Sequence, residues 1–293
     1  MIAVVLSIVL PVVLTTAVGF LWSRWGHPLN SKDVTELVGN VATPCLIVST
    51  FQTSKLSFEA LAAMAGATAL CIVLFAAIGA MILRAAGLSL RTFLPSISFP
   101  NAGNLGLPLS LYAFGPEGLG YAIAYFSVSS VANFTLGQMI AAGKANWAGL
   151  VRQPILYAVL IGVALAYAQV QLPAWAGTTV SLIGSLTVPL MLLMLGSALS
   201  RLKVAAFGRA LFVSLVRLGM GAAVGIGVAT ALGLTGNLRA VLILQAANPV
   251  AVYNYFFAQR WGNEPEAVAG VVVLSTLLSM ATVPLLLTWL MAG

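Results

Sequence analysis

The residues best suited to binding chemistry lie in two stretches where proline, glycine and asparagine interrupt long apolar runs. The first stretch is SFPNAGNLGLP (98–108) and the second is QAANPVAVYNY (245–255). Proline removes a backbone donor and clashes with the preceding helical turn, so a helix through either stretch should kink or unwind. The backbone groups freed by such a break need new partners, and a bound ligand can supply them.

The chemistry predicted for the two breaks is anion binding. A helix that restarts after a break has unpaired first-turn N–H groups with partial positive charge. Asn248 followed by Pro249 fits an N-cap with a first-turn proline, and Pro100 can open a second half-helix that leaves amides near residues 102–104 free. Two such N-termini facing one another bind an anion without a formal charge. The alternative is two ordinary proline kinks with packed asparagine side chains.

The candidate substrate-binding residues come from the two breaks and from polar positions in one neighbouring apolar run. They are Pro100, Asn101, Gly103, Asn104, Gln245, Asn248, Pro249, Tyr253, Asn254, Ser129, Ser130 and Asn133. The last three have an alternative explanation, because polar side chains within apolar helices often bond to another helix or to their own backbone. The same alternative applies to Ser275, Thr276 and Ser279.

The composition indicates that these stretches belong to a membrane protein. The 293 residues are 61% hydrophobic and only 6% charged, whereas soluble domains carry roughly 25% charged residues. Because so few charges cannot cover a water-exposed surface, most of the outside must face the lipid bilayer. The net charge of +7 is then explained by Lys and Arg beside membrane spans, and not by nucleic acid. We expect one all-α polytopic domain in the cell inner membrane.

Ten apolar runs predict ten transmembrane helices, because each span needs about 20 residues. They cover approximately 2–22, 34–51, 58–83, 92–113, 119–142, 153–169, 177–199, 206–233, 238–259 and 266–291. The two breaks fall in spans 4 and 9. The first run has no basic n-region and no clear cleavage site, so it is predicted to be a span and not a signal peptide.

The distribution of basic residues predicts the orientation. Ten follow odd-numbered spans: Arg24, Lys32, Arg84, Arg91, Lys144, Arg152, Arg201, Lys203, Arg209 and Arg260. Two, Lys55 and Arg239, follow even-numbered spans. Since Lys and Arg concentrate in cytoplasmic loops, the odd linkers are predicted to be cytoplasmic and both termini to lie on the other side.

An internal repeat appears at an offset of about 145 residues, with Gly39 matching Gly184 and Pro44 matching Pro189. It divides the chain into repeat one (1–143), a linker (144–152) and repeat two (153–293). Because each unit has five spans, an odd number, the two units must be inverted relative to one another, as in many secondary transporters. Chance similarity among apolar helices is the alternative.

Arg217 lies about eleven residues into span 8 and has two interpretations. Insertion of a mid-membrane arginine costs about 2.5–3.5 kcal/mol and such residues are often functional. Its long side chain can instead extend to the membrane surface. No Asp or Glu lies deep in any span, so no carboxylate proton relay is expected.

At these motifs the chain resembles the auxin efflux carrier family, which includes the PIN-type carriers of plants. FPNAGNLGLPL looks like the family's P-N…G-[IL]-P-L signature, VRQPILYAVLIG like its entry to span 6, and VPLMLLMLGSAL like its span 7. ANPVAVYNYFFAQRWG corresponds to its broken span 9, and VLSTLLSMATVPLLL to its last span. The resemblance covers nearly the whole chain.

The resemblance implies a scaffold part and a transport part, crossed discontinuous helices 4 and 9 around the substrate, and a homodimer. It implies export or exchange of small carboxylates, malonate-like or auxin-like. By motif match, Pro100 and Asn101 carry over as crossover and substrate-binding residues, and Pro249 as the second crossover proline. The long cytoplasmic loop and the acidic site residue of plant members are missing, so their phosphorylation control and coupling scheme do not carry over.

The leading functional hypothesis is a secondary transporter that moves a small organic anion by alternating access. The alternative is a sodium-coupled organic-anion symporter of the bile-acid-carrier type, in which carbonyls at broken helices coordinate the ion. An enzyme is disfavoured because no paired acids, His cluster or HExxH-like motif occurs. No cofactor and no metal site are expected. A sensory receptor is disfavoured because the sequence shows no signalling domain.

Overall fold

The computed structural model describes residues 2–27, 32–53, 56–144, 154–168, 170–202 and 206–291. Most of the predicted linker 144–152 lies outside these ranges. The described chain forms fourteen α-helices. They are α1 (Ile2–Arg24), α2 (Lys32–Leu37), α3 (Thr43–Thr53), α4 (Phe58–Ala85), α5 (Leu90–Ser98), α6 (Leu107–Ala132), α7 (Gln138–Ala142), α8 (Pro154–Tyr167), α9 (Ala174–Ser185), α10 (Thr187–Arg201), α11 (Phe207–Ala231), α12 (Gly236–Ala246), α13 (Tyr253–Trp261) and α14 (Pro265–Leu290).

Three five-residue π-helical turns connect some of these helices without a loop. They are Val38–Ala42 between α2 and α3, Ala102–Gly106 before α6, and Asn133–Gly137 between α6 and α7. Hydroxyl side chains cap α4 and α5: Ser57 accepts from the Ala60 amide at 3.2 Å and Ser89 from the Thr92 amide at 3.3 Å. Each cap pairs an amide that the first helical turn leaves without a carbonyl.

Among the described residues, seven helical segments are long and apolar enough to cross a membrane. These are Val5–Arg24, Asp33–Thr53, Phe58–Ala85, Ala102–Ala142, Ala174–Arg201, Phe207–Ala231 and Pro265–Leu290. The all-helical architecture confirms the coarse prediction of a polytopic helical membrane protein.

The difference between seven segments and ten predicted spans has local causes. The second half of predicted span 4 and the whole of predicted span 5 share one continuous helical segment, but Gly115 within it has non-helical angles (φ 64°, ψ −158°) that only glycine adopts readily. Predicted span 9 is divided into α12 and α13, and neither half is long enough to cross alone. Predicted span 6 corresponds to α8, whose apolar part, Pro154–Leu165, is short.

The helices form two groups that pack mainly among themselves. In the first group, α1 packs along α10, and α3 packs against α8 and α9. In the second group, α4 contacts α5 and α6, α11 contacts α12 and α14, and α12 contacts α6. The α1–α10 contact depends on Gly19 and Gly196, because a Cβ at either position would collide with the backbone of the facing helix. The two interruptions belong to the second group and face the first.

Candidate functional site

The first interruption lies between α5 and α6. α5 ends at Ser98, and Phe99 adopts an extended conformation (φ −116°, ψ 106°). Asn101 then caps the restarted helix, because its Oδ1 accepts from the Asn104 amide at 3.2 Å. The predicted break is therefore present, and Asn101 starts the new helix one residue after Pro100.

The second interruption lies between α12 and α13 and differs from the prediction. α12 ends at Ala246, and α13 starts at Tyr253 after Val252. The expectation that Asn248 and Pro249 begin the new helix is wrong. The physical reason is tertiary: residues 249–251 pair with the first interruption, which keeps them extended.

The two interruptions are joined by backbone hydrogen bonds. The Asn101 amide donates to the Pro249 carbonyl at 2.7 Å, and the Ala251 amide donates to the Phe99 carbonyl at 3.3 Å. Pro100 and Val250 thereby form an isolated antiparallel bridge. Ser275 of α14 accepts from the Val250 amide at 3.1 Å. The backbone groups of the two breaks thus satisfy one another, although each lies inside an apolar protein.

A cavity lies beside this bridge, between the two helix groups. It encloses about 900 Å³, open space at its mouth included. Eight of the twelve predicted site residues line it: Pro100, Asn101, Gly103, Asn104, Ser129, Ser130, Asn133 and Tyr253. The first group of helices contributes residues of α3, α8 and α10 and of the π-helical turn before α3.

The other four predicted residues lie behind the bridge and do not line this cavity. Gln245 and Asn248 are fully buried, where the Asn248 amide nitrogen donates to Gln245 Oε1 at 3.4 Å and Gln245 Nε2 contacts Ser110 Oγ at 3.4 Å. Asn254 donates to the Phe99 carbonyl at 3.4 Å, and Pro249 accepts from Asn101. In this conformation they support the breaks.

The cavity combines a polar end with an apolar wall. The buried Asn101 Nδ2 donor and Asn133 Oδ1 acceptor have no hydrogen-bond partner among the described residues. Sequence reasoning missed the wall: Thr35, Val38, Gly39, Thr43, Phe126, Phe134, Ile155, Met191, Met194 and Phe256. The Phe134 ring stands edge-on to Tyr253, with 4.9 Å between the ring centroids. The described lining residues include no Lys, Arg, Asp, Glu or His.

All three π-helical turns of the described chain contribute to the cavity, through Val38 and Gly39, through residues 102–104, and through Asn133 and Phe134. A π-helical turn is wider than an α-helical turn and occurs frequently at functional sites. No pattern in the sequence marks these turns.

Arg217 of α11 lies behind the bridge and is completely buried. Its Nη1 donates to the Ile97 carbonyl at 2.6 Å, its Nε donates to the Asn248 carbonyl at 3.2 Å, and its Nη2 donates to the Ala246 carbonyl. The Phe75 ring covers the guanidinium at 4.5 Å. The side chain therefore does not extend to the membrane surface but binds backbone carbonyls at both interruptions.

No cluster of three or more His, Cys, Asp or Glu side chains able to hold a metal ion occurs within the described ranges. The cavity itself offers the side-chain amides and hydroxyls of its lining residues. These groups can donate hydrogen bonds to an anion but supply no nucleophile paired with a base.

Comparison with known proteins agrees with this architecture. A family model described as "Membrane transport protein" matches residues 4–147 and 138–287. The chain is also 29% identical over 192 residues to an uncharacterized transporter of the archaeon Methanothermobacter thermautotrophicus. That match covers 63% of this chain and 63% of the relative's own length.

Proposed function

Because the chain belongs to the auxin efflux carrier-like family of membrane transport proteins, and is thus a multi-pass transport protein and not an enzyme, we propose that it is a secondary carrier for a small organic anion. The carrier works by alternating access about the two interrupted helices. The identity of the substrate as an organic anion and the movement that carries it are both parts of this proposal.

The observation that carries the proposal is the position of the two helix restarts beside one cavity. Gly103 lies in the first turn after the Asn101 cap, and Tyr253 begins α13; both line the cavity. Several first-turn amides already donate within the protein, among them the Asn104 amide to Asn101 Oδ1 at 3.2 Å, so the restarts attract an anion through the positive end of the helix dipole. Two such ends beside a pocket favour an anion.

The composition of the cavity favours one negative charge attached to an apolar body. Asn101 and Asn104 supply amide groups at the polar end, whereas Phe126, Phe134 and Met194 form part of the wall. Without a lysine or arginine among the described lining residues, a second negative charge has no fixed cation to offset its desolvation. A monocarboxylate with an aliphatic or aromatic body therefore fits better than a dicarboxylate.

The ten-span arrangement with inverted repeats is also part of the proposal. Reciprocal packing supports it: α1, the first span of repeat one, packs on α10 in span 7, and α8, the first span of repeat two, packs on α3 in span 2. A duplicated unit related by a pseudo-two-fold axis produces such reciprocal contacts. The bridge between Pro100 and Val250 is consistent with helices 4 and 9 crossing there.

The movement we propose is a displacement of the second helix group along the first. A narrow apolar gap between the groups supports this, because it is lined by aliphatic residues such as Val9 and Val13 of α1 and Leu105 and Val283 of the second group. Aliphatic surfaces lack directional hydrogen bonds that a displacement would break. With the predicted orientation, the cavity beside Thr35 and Phe256 faces the cytoplasm.

The test is anion binding and flux with Gly103 filled. A Cβ at Gly103 would lie 2.8 Å from the Phe126 ring, so Gly103→Leu places its side chain in the cavity. We expect purified Gly103→Leu in proteoliposomes to lose at least tenfold in carboxylate flux. Gly66→Leu is the matched control, because Gly66 is exposed on α4 and has nothing within 4 Å of its Cβ position. Equal flux by both variants would remove the cavity from the transport pathway.

A further inference from the structure

Arg217 connects the carbonyl ends of both interrupted helices. Ile97 lies in the last turn of α5, Ala246 is the last residue of α12, and Asn248 follows two residues later. The three carbonyls that accept from the guanidinium therefore come from the two C-terminal ends that meet behind the bridge. Such ends carry the negative pole of the helix dipole.

The charge of Arg217 is balanced by these carbonyls and by no carboxylate. All six Asp and Glu residues of the chain are exposed, and Arg217 is the sole charged side chain among the buried residues of the described ranges. A buried cation without a carboxylate persists when several strong acceptors surround it. The Phe75 ring adds its negative face on another side.

The backbone of α11 is built to bring the guanidinium this close. A Cβ at Gly221, one turn after Arg217, would collide with the Ala246 carbonyl oxygen and lie 3.0 Å from Arg217 Nη2. A Cβ at Gly225 would lie 2.8 Å from the Ala246 Cβ. Two glycines on one face of α11 thus admit the end of α12 to the position where Arg217 reaches it.

In carriers with broken helices, the C-terminal half-helix ends and unwound carbonyls are also where a coupling cation such as Na⁺ is coordinated. Here three of those carbonyls are already occupied by a guanidinium. A free cation at the same place would need the same carbonyl oxygen atoms as ligands, and the positive charge of Arg217 would repel it.

We propose that Arg217 is a tethered cation that takes the place of a coupling ion, so that the carrier binds and moves its anion without Na⁺. This inference rests on the proposed function. Arg217 is a positioning residue: it does not line the cavity, and it acts by holding the carbonyl ends of α5 and α12. Arg217 thereby stabilises the bridge, and with it the position of the two helix N-termini beside the cavity, when no coupling cation is bound.

The first test uses the wild-type protein. Phenylacetate, hexanoate and malonate are screened for binding to the purified carrier, and the tightest binder is measured in Na⁺, K⁺ and choline at constant ionic strength. We expect the dissociation constant to stay within about twofold across the three cations. A tenfold or larger weakening when choline replaces Na⁺ would overturn the inference.

The second test separates charge from packing at position 217. Arg217→Met keeps a long side chain without charge. Arg217→Lys keeps the charge but lacks the planar guanidinium that donates to three carbonyls at once. We expect Arg217→Met to weaken anion binding at least tenfold, with partial recovery in added Na⁺ or guanidinium, and Arg217→Lys to fall between it and the wild type. Wild-type binding by Arg217→Met would show that the residue only fills space.

Controls keep the outcomes separate. Arg239→Met removes a partly buried arginine that stacks on Trp289 and should leave binding unchanged. Folding of Arg217→Met is judged by size-exclusion elution and thermal unfolding. If this variant does not fold, the Arg217 inference is tested by Arg217→Lys and by the wild-type measurements in the three cations. If none of the three carboxylates binds in any salt, the proposed function fails; binding that needs Na⁺ overturns the Arg217 inference alone.

Discussion

The backbone amide of Asn101 donates a 2.7 Å hydrogen bond to the carbonyl of Pro249. The two residues lie in different halves of the chain, and each sits where a helix is interrupted. Proline cannot donate, but its carbonyl is free to accept, so the residue that breaks one helix provides the acceptor for the other break.

Asn101→Asp should abolish anion binding while keeping the fold. Asp is as good an N-cap as Asn and is favoured near a helix N-terminus, so the Asn104 amide keeps its acceptor. The carboxylate, however, places a negative charge in the anion cavity. We expect a loss of at least tenfold in carboxylate affinity, measured by ligand binding to the folded, purified protein. Retained affinity would mean that the anion does not approach Asn101.

Ser275→Ala should destabilise the bridge, whereas Ser279→Ala should not. Ser275 Oγ is the acceptor for the buried Val250 amide, and leaving such a donor unpaired costs about 1–3 kcal/mol. The Ser279 hydroxyl donates only to the Thr276 carbonyl of its own helix. We expect a lower unfolding temperature and weaker anion binding for Ser275→Ala alone. Similar behaviour of the two variants would argue that the Ser275 contact is incidental.

Gly221→Ala and Gly219→Ala form a matched pair on α11. A Cβ at Gly221 meets the Ala246 carbonyl backbone, whereas a Cβ at Gly219 has nothing within 4 Å. Gly221→Ala must push α12 away from Arg217, and overpacking of this kind costs about 1–3 kcal/mol. Gly219→Ala should be neutral or slightly stabilising, since alanine is the better helix former. Differential scanning fluorimetry in detergent measures both.

Monocarboxylates with an apolar body should bind more tightly than dicarboxylates of similar size. Competition of hexanoate, phenylacetate and malonate against a bound probe measures this order. Phe134→Ala should weaken phenylacetate more than acetate, because it removes a ring from the apolar wall but no polar contact. Preference for malonate would require a cation that enters the cavity from elsewhere.

The predicted orientation can be tested by cysteine labelling. In a variant with Cys45 and Cys71 replaced by serine, a cysteine at Ala86 follows span 3 and one at Leu172 follows span 6. Membrane-impermeant maleimide added to intact cells should label position 172 and leave position 86 unlabelled until the cells are opened. The reverse pattern would invert the topology and turn the cavity toward the outside.

The interruptions were predictable because proline acts on its own helix. Pro100 and Pro249 lack the backbone donor of a regular helix and each stands next to an asparagine, whereas Pro11 and Pro284 stand among apolar residues inside continuous helices, so the combination indicated where the breaks fall. The restart at Tyr253 was not predictable, because residues 249–251 are held extended by partners about 150 residues away. Local capping preference for Asn248 was outweighed by that pairing.

The apolar wall and the partners of Arg217 had no local signal either. In a membrane protein, Val38 or Met194 looks the same in sequence whether it faces lipid, another helix or a cavity. The burial of Arg217 was a possibility from its place in span 8, but its three acceptors lie on α5, at the end of α12 and just after α12. Only the packing of α11 against both helices brings them together.

The three π-helical turns have a consequence for how the cavity responds to changes in chain length. Each residue of a helix advances the side-chain direction by about 100°, and a π-helical turn accommodates a residue that a regular α-helix would have to place elsewhere. Deleting one residue from Asn133–Gly137 would let that helix become regular, which removes one residue from the cavity wall while α7 keeps its place. The register of the pocket is thus adjustable by single-codon deletions, a route to altered selectivity that leaves every side chain of the bridge in place.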